Sequence, residues 1–229
     1  MDLTSSVAVV TGANRGLGRH FAAQLLERGA TVYATARRPE SIDLPGAIPL
    51  RVDVTDPESV TRAAKTAANA TFLINNAGIS TGARLIGGDL DDIRREMDTH
   101  FFGSLRMTRA FAPVIEANGG GAVLNVLSVL AWAHPASFGA YCAAKAASWS
   151  MTDSVREELE PRGIQVSALH VGYLDTELAA AAPADQKSDP AVVAAAALDG
   201  VAAGAPEILA DQLSLTVRKS LGTPLTANG

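Results

Sequence analysis

The sequence predicts an α/β fold built as a single doubly wound parallel sheet with helices on both faces. Three observations carry that prediction. Short, continuously apolar, largely β-branched runs such as Val7-Ala8-Val9-Val10 have the composition of strands buried on both faces. These runs alternate with segments whose apolar residues recur at helical spacing, the pattern of a parallel sheet covered by crossover helices. The first run also passes directly into a glycine-rich turn, Thr11 to Gly18, that opens a helix.

The elements follow in order. Leu17, Phe21, Ala22, Leu25 and Leu26 keep a helical period until Gly29 ends the helix, and a strand over Thr31 to Thr35 completes the first βαβ unit. The pattern repeats with a strand over Ile48 to Val52, a helix opened by Asp56 and Pro57, which suit the N-cap and first helical positions, and a strand over Thr71 to Ile74. Further strands are expected at Ala122 to Leu127, Ile164 to Leu169 and Glu207 to Ala210, with helices between. The helix carrying Ala143, Ala144, Ala146, Ala147, Trp149 and Met151 is apolar around most of its circumference, so it needs a second cover besides the sheet. The segment 179–190 has no sustained period and reads as a mobile flap. Residues 1–221 are expected to form one domain, with 222–229 as a disordered tail.

Composition narrows the function classes. Of the 229 residues 48% are hydrophobic, enough for a sizeable core, which excludes the disordered and fibrous classes. A net charge of −5 gives no basic field to draw the chain onto phosphate backbones or anionic lipid, and no apolar run reaches the ~18 residues of a membrane span. Neither nucleic acid nor membrane is expected as a partner. Met1 to Ser6 does not read as a signal peptide, and Cys142, the only cysteine, permits no intramolecular disulfide and no thiolate zinc cluster, so a cytoplasmic location fits. Cys142 reads as a small buried hydrophobe. His20 and His170 stand without clustered carboxylates, so no metal site is expected.

The turn reads Thr11-Gly12-Ala13-Asn14-Arg15-Gly16-Leu17-Gly18. Glycines there let the backbone bend sharply and approach a pyrophosphate, while the helix that follows presents its first amides to the anion. Its place between a buried strand and an amphipathic helix is the context such a motif requires. The spacing resembles the T-G-x-x-x-G-x-G turn of the short-chain dehydrogenase/reductase family, whose members have the Rossmann fold. About 20 residues after such glycines a carboxylate would bind the ribose of NAD, whereas arginine would accept the 2′-phosphate of NADP. This chain has Ala36-Arg37-Arg38 there, no Asp or Glu between Thr31 and Arg38, and a further charge at Arg15. NADP is therefore favoured over NAD; the plainer reading is a pair of solvated surface arginines.

Tyr141-Cys142-Ala143-Ala144-Lys145 sets a phenol and an ammonium four residues apart on one helical face. A free phenol has a pKa of about 10, and a neighbouring cation favours the phenolate. Any helix can carry this spacing, so alone it does not specify a site. Ser128 ends a predicted strand upstream of it, and Asn75-Asn76-Ala77-Gly78 ends another, at the strand edge where open α/β sheets bind ligands.

Together these segments resemble the short-chain dehydrogenase/reductase family in order and spacing over roughly residues 5 to 178. The resemblance implies hydride transfer between a nicotinamide cofactor and a ketone, aldehyde or secondary alcohol. Tyr141 would be the general acid or base, Ser128 would orient the carbonyl, and Lys145 would hold the nicotinamide ribose and depress the pKa of Tyr141. Asp53 and Val54 would meet the adenine, and Asn76, Ala77, Gly78, Gly172, Leu174 and Thr176 the rest of the cofactor.

Two positions depart from the family pattern. His100 stands where the family most often has an asparagine that supports a proton relay, and Val171-Gly172 replaces Pro-Gly. Imidazole both donates and accepts, and with an ordinary pKa near 6.5 it would serve the relay around neutrality. The opposite reading is that His100 merely packs inside its helix. Trp132, His134, Phe138 and Tyr173 flank the predicted site and fit either an apolar substrate pocket or core packing. In the resembling family the helices around Phe101 to Phe111 and Tyr141 to Met151 form a dimer interface, so a homodimer is expected. The C-terminal region lacks the glycine-rich ending of many tetrameric members, which weakens the case for a tetramer. A nucleotide-binding sensor that has lost catalysis is the alternative from another class, favoured by His100 and opposed by the intact Ser128, Tyr141 and Lys145. A dehydratase or epimerase on the same fold is a second enzymatic alternative.

Overall fold

The computed structural model describes residues 1–221, so the expected tail at 222–229 lies outside the described residues. Strands are β1 (Val7–Val10), β2 (Thr31–Ala36), β3 (Ile48–Arg51), β4 (Phe72–Asn75), β5 (Gly121–Val126), β6 (Ile164–His170), β7 (Tyr173–Leu174), β8 (Lys187–Ser188) and β9 (Glu207–Leu209). Helices are α1 (Gly16–Glu27), α2 (Pro57–Thr66), α3 (Leu90–Met97), α4 (Ser104–Ala117), α5 (Gly139–Leu159), α6 (Pro190–Ala202) and α7 (Gln212–Ser220). Seven strands form one parallel sheet in the order β3-β2-β1-β4-β5-β6-β9. Strand order reverses between β1 and β4, and the cleft of such a sheet opens at the carboxyl ends beside that reversal.

Alternation along the strands divides the core in two. Ala8 and Val10 of β1, Phe72 and Ile74 of β4, and Ala122 and Leu124 of β5 face α1 and α6, meeting Phe21, Leu25, Val193 and Leu198. Val9, Leu73 and Val123 between them face α2, α4 and α5, meeting Val60, Phe111 and Val155. Each strand is thus apolar on both sides, which explains the continuous rather than alternating apolar runs. Helix starts follow local chemistry. Asp56 caps α2 and Asp189 caps α6 through the N–H groups of Glu58 and Ala191, each with proline at the first helical position.

Two features differ from the sequence-based expectation. The helix before β5 is not uniform: between α3 and α4, residues Asp98–Gly103 form a π turn, with His100 at its middle. Gly103 permits it, since a Cβ there would lie 2.8 Å from Cγ2 of Val54. The segment 179–190 is not without structure either. It follows a 3₁₀ turn at Glu177–Ala179, carries another at Ala184–Gln186, and supplies β8, which pairs with β7 in a separate two-stranded sheet.

A buried amide and hydroxyl chain ties the sheet to the helices behind the cleft. Asn75 Nδ2 donates to Asn125 Oδ1 at 2.8 Å and to Thr108 Oγ1 of α4 at 3.0 Å, while Asn125 Nδ2 donates to Thr152 Oγ1 of α5 at 2.9 Å. Asn125→Ala should cost about 2–4 kcal/mol, because it leaves a cavity and strips the Asn75 amide of an acceptor. Urea unfolding measures this, and a loss below about 1 kcal/mol would mean that these bonds do not anchor the sheet.

Candidate active site

The carboxyl ends of β1, β2, β4, β5 and β6 open into one cleft of about 1320 Å³. At its floor the Thr11-to-Gly18 turn takes shape through Gly12 and Gly16, whose φ angles of 65° and 52° lie in the left-handed region. Arg15 occupies the N-cap of α1 without a side-chain cap, so the first-turn amides of α1 have no capping side chain. Such amides, together with the helix dipole, suit a phosphate group. Gly12, Asn14, Arg15, Gly16 and Leu17 line the cleft. Gly18 does not, although it was expected to bind cofactor. It is buried, and a Cβ there would lie 2.3 Å from the Gly12 carbonyl oxygen, so its role is to let α1 pack against the turn.

Asn76 locks that turn to the end of β4. Its Nδ2 donates to the carbonyls of Thr11 at 2.8 Å and Gly12 at 3.3 Å, and Thr11 Oγ1 accepts from the N–H groups of Asn76 and Ala77. The Asn76 amide therefore holds the turn, while Asn76, Ala77 and Gly78 line the cleft. Asp53 and Val54 line it as well, with Asp53 Oδ1 accepting from Thr55 N–H and Oγ1.

At the rim, Arg37 and Arg38 are exposed, line the cleft, and form no ion pair among the described residues. Arg15 differs from them: its guanidinium pairs with Glu177, in the 3₁₀ turn that leads into the flap. Gly172, Leu174 and Thr176 line the opposite wall. The loop after β6 takes its path without the Pro-Gly of the family pattern. Val171 accepts from Val129 N–H at 2.9 Å, and Gly172 N–H donates to Asp211 Oδ2 at 2.6 Å. Asp211, which also caps α7 in a capping box with Ser214, escaped the sequence reading because nothing local marks it as an anchor for a distant loop.

Ser128, Tyr141, Lys145 and His100 come together at the inner end. Ser128 is the extended residue before a 3₁₀ turn, and its Oγ accepts from Leu130 N–H at 3.1 Å, which leaves the hydroxyl proton to donate elsewhere. Lys145 is buried; Nζ donates to the Val126 carbonyl at 2.8 Å and stands 5.5 Å from the centroid of the Tyr141 ring. The imidazole of His100 meets the same ring edge-on, with centroids 5.0 Å apart.

The protonation of these groups departs from expectation. Burial, helped by the Glu96 charge, holds the Tyr141 phenol well above its ordinary range, with the neighbouring Ser128 hydroxyl pulling the other way. Burial brings Lys145 down to about 8, against the attraction of Glu96. His100 was expected to titrate near neutrality, but burial and the charge on Lys145 push it below 6.5. Burial opposes ionisation of Glu96, yet the adjacent His100 ring and hydrogen bonds from Thr81 outweigh it and hold the carboxyl below the usual range. Glu96 is fully buried, and sequence reasoning missed it; its only signal was the four-residue spacing to His100.

The flanking aromatic residues divide. Phe138 and Tyr173 line the cleft, whereas Trp132 is buried and stacks on His170 with ring centroids 3.7 Å apart. Cys142 is buried, its Sγ directed to the Ala133 carbonyl. Among the described residues no group of three His, Cys, Asp or Glu side chains could hold a metal ion. No described helix is long and apolar enough to cross a membrane.

Known proteins resemble this chain in sequence and in fold. In Schizosaccharomyces pombe, an NADPH-dependent 1-acyldihydroxyacetone phosphate reductase is 34% identical over 74% of this chain, a match spanning 60% of that protein's length. A 3-oxoacyl-(acyl-carrier-protein) reductase of Vibrio harveyi is 33% identical over 89% of this chain and 85% of its own. The crystal structure of a short chain dehydrogenase from Burkholderia cenocepacia in complex with NADP superposes with a TM-score of 0.93 at 37% identity, covering 98% of this chain and 95% of that one. Residues 6–187 match the family described as short chain dehydrogenase. With its seven-stranded parallel sheet, glycine turn, Ser128 just beyond β5 and Tyr141 and Lys145 on α5, this chain belongs to the short-chain dehydrogenase family of oxidoreductases.

Proposed function

We propose that this protein is an NADP-preferring oxidoreductase that interconverts a ketone or aldehyde with an alcohol, with Tyr141 as general acid and base. The observation that carries this reading is the convergence of Ser128, Tyr141 and Lys145 at the inner end of a cleft whose rim bears Arg37 and Arg38. The residues present suit a dinucleotide: glycines at positive φ, an uncapped α1 N-terminus for the pyrophosphate, and two exposed guanidinium groups, without an ion pair among the described residues, for a 2′-phosphate.

When bound, the nicotinamide supplies or accepts the hydride. The protein's part is orientation and proton movement. A phenol held above its ordinary range carries its proton at neutral pH, as a general acid for reduction must. Ser128 donates its hydroxyl proton to the carbonyl oxygen that Tyr141 protonates. Lys145, predominantly cationic below about 8, opposes the negative charge left on the Tyr141 oxygen. His100 lines the cleft behind them and serves the path by which that oxygen regains a proton.

Tyr141→Phe should abolish turnover while NADPH affinity changes little. Retention of more than about a tenth of wild-type kcat, under ~1.4 kcal/mol of lost transition-state stabilisation, would exclude Tyr141 as the obligatory acid. NADPH should bind more tightly than NADH, by a margin that shrinks as salt rises, because the extra contacts are charge-assisted and exposed. Equal affinities at low salt would reduce Arg37 and Arg38 to ordinary surface residues.

The proposed assembly is a homodimer through the π turn, α4 and α5. Phe102 is 45% exposed there, and Ala143 and Ser150 leave a small-residue face on α5 uncovered. Light scattering at micromolar concentration should give twice the 23.6 kDa chain mass; the mass of one chain would reject the dimer.

A further inference from the structure

Glu96 is fully buried, yet the chemistry assigned to Ser128, Tyr141 and Lys145 makes no use of it. It lies one helical turn before His100, so the two side chains share a face. Its Oε1 accepts from Thr81 N–H at 2.6 Å and from Thr81 Oγ1 at 3.0 Å. Oε2 lies 3.2 Å from His100 Nε2, close enough for its charge to act on the ring, but it completes no hydrogen bond with any of the described residues. Gly78 makes room for the ring, since a Cβ there would lie 2.7 Å from His100 Cε1.

This geometry decides which nitrogen carries the proton. Nε2 faces two acceptors, the Ile79 carbonyl at 2.8 Å and Glu96 Oε2 at 3.2 Å, whereas the one competing donor, Ile79 N–H, is at 3.4 Å. The proton therefore sits on Nε2, and the neutral ring keeps its lone pair on Nδ1. Nδ1 has no protein partner among the described residues, and His100 lines the cleft with Tyr141 and Lys145. The charges facing the ring are Glu96 from α3, which favours an imidazolium, and Lys145 from α5, which opposes it; the Tyr141 phenol is its neutral neighbour.

We propose that Glu96 is a positioning residue for the proton step: it fixes the Nε2–H tautomer of His100, leaving Nδ1 to take up the proton that each reduction draws from solvent. The inference rests on the reading of Tyr141 as the acid. In each turnover the Tyr141 O–H bond breaks as the substrate O–H bond forms. A solvent proton then binds Nδ1 and passes towards Lys145 and Tyr141, restoring the phenol, while the Glu96 carboxylate balances the transient imidazolium. The ring ends each cycle as it began.

A purely structural role for Glu96, tying down the loop at Thr81, is separable from this one. Glu96→Gln keeps the shape and an oxygen for Thr81 N–H but turns an amide N–H towards Nε2, which drives the ring proton to Nδ1 and blocks the acceptor. The reverse amide orientation would set a donor against Thr81 N–H.

The test is ¹⁵N NMR of histidine-labelled protein, with the His100 signals identified by their loss in His100→Asn, alongside reduction kinetics on a panel of ketones and aldehydes. The expected result is the Nε2–H tautomer in the wild type and Nδ1–H in Glu96→Gln, with kcat lower by roughly tenfold or more and NADPH affinity within about twofold. In a His100→Asn background the same change should lower kcat by less than about twofold, because Glu96 acts through the ring. An Nδ1–H tautomer in the wild type, unchanged kcat in Glu96→Gln, or equal losses in both backgrounds overturns the proposal. The wild-type tautomer is read without turnover, so it keeps the proposal falsifiable should Glu96→Gln not fold. A wild type that reduces no carbonyl while showing Nε2–H would instead defeat the reading of Tyr141, and this step with it.

Discussion

The site depends on a clamp at the point where strand order reverses. β1 and β4 are neighbours whose chains leave in opposite directions, and that divergence opens the cleft. Thr11 and Asn76 hold the two strand ends together there: the Thr11 hydroxyl accepts from two backbone N–H groups after β4, and the Asn76 amide donates back to two carbonyls of the glycine turn. These carbonyls and amides lie beyond the sheet ladder, where each unpaired buried group would carry a desolvation penalty of about 1–3 kcal/mol. With the clamp closed, Gly18 can sit against Gly12, α1 can aim its first amides at the cleft, and Gly78 is carried to the place where it admits the His100 ring.

Electrostatics at the inner end follow from burial more than from any single pair. Lys145 and Glu96 are both buried, and an isolated charge there would be costly. Each is hydrogen-bonded, Lys145 to Val126 and Glu96 to Thr81, and the two opposite charges leave the pocket near neutrality with the uncharged His100 ring 3.2 Å from the Glu96 carboxylate. Burial is likewise the main reason why the phenol does not ionise on the protein's own account. The Glu96 charge adds to it, so Tyr141 is set up to give a proton and not to lose one at rest.

Most of the fold was legible because its signals are local. Continuous apolar runs, Asp-Pro helix starts and the glycine turn each mark an element whatever the rest of the chain does, and the strands agree to within a residue or two at their ends. Ser128, Tyr141 and Lys145 were legible because strand ends and a four-residue helical spacing converge in any fold of this type. Features set by distant partners were not legible. The π turn depends on Gly103 packing against Val54, the path of the loop after β6 on Asp211, and the state of His100 on Glu96 and the Ile79 carbonyl. The burial of Gly18 was hidden for the same reason: its motif position is shared with residues that line the cleft, but its surroundings are protein.

Arg15 shows how a charge can belong to two parts of the site at once. From sequence it stands with Arg37 and Arg38 as one of three cations near a phosphate, but in the structure its guanidinium reaches across to Glu177, just after Thr176, whose Cγ2 lies 3.3 Å from where a Gly16 Cβ would be. The turn and the segment leading into the flap are therefore in contact through both an ion pair and van der Waals packing. Both partners of the pair are well exposed, 65% and 74%, and exposed pairs contribute little once side-chain entropy and screening are counted. The packing, and the β7–β8 pairing behind it, hold this wall of the cleft more firmly than the ion pair does. Among the described residues Arg37 and Arg38 have no such competing partner, so the proposed preference for a 2′-phosphate is borne first by those two arginines, with Arg15 acting at the boundary between cofactor and flap.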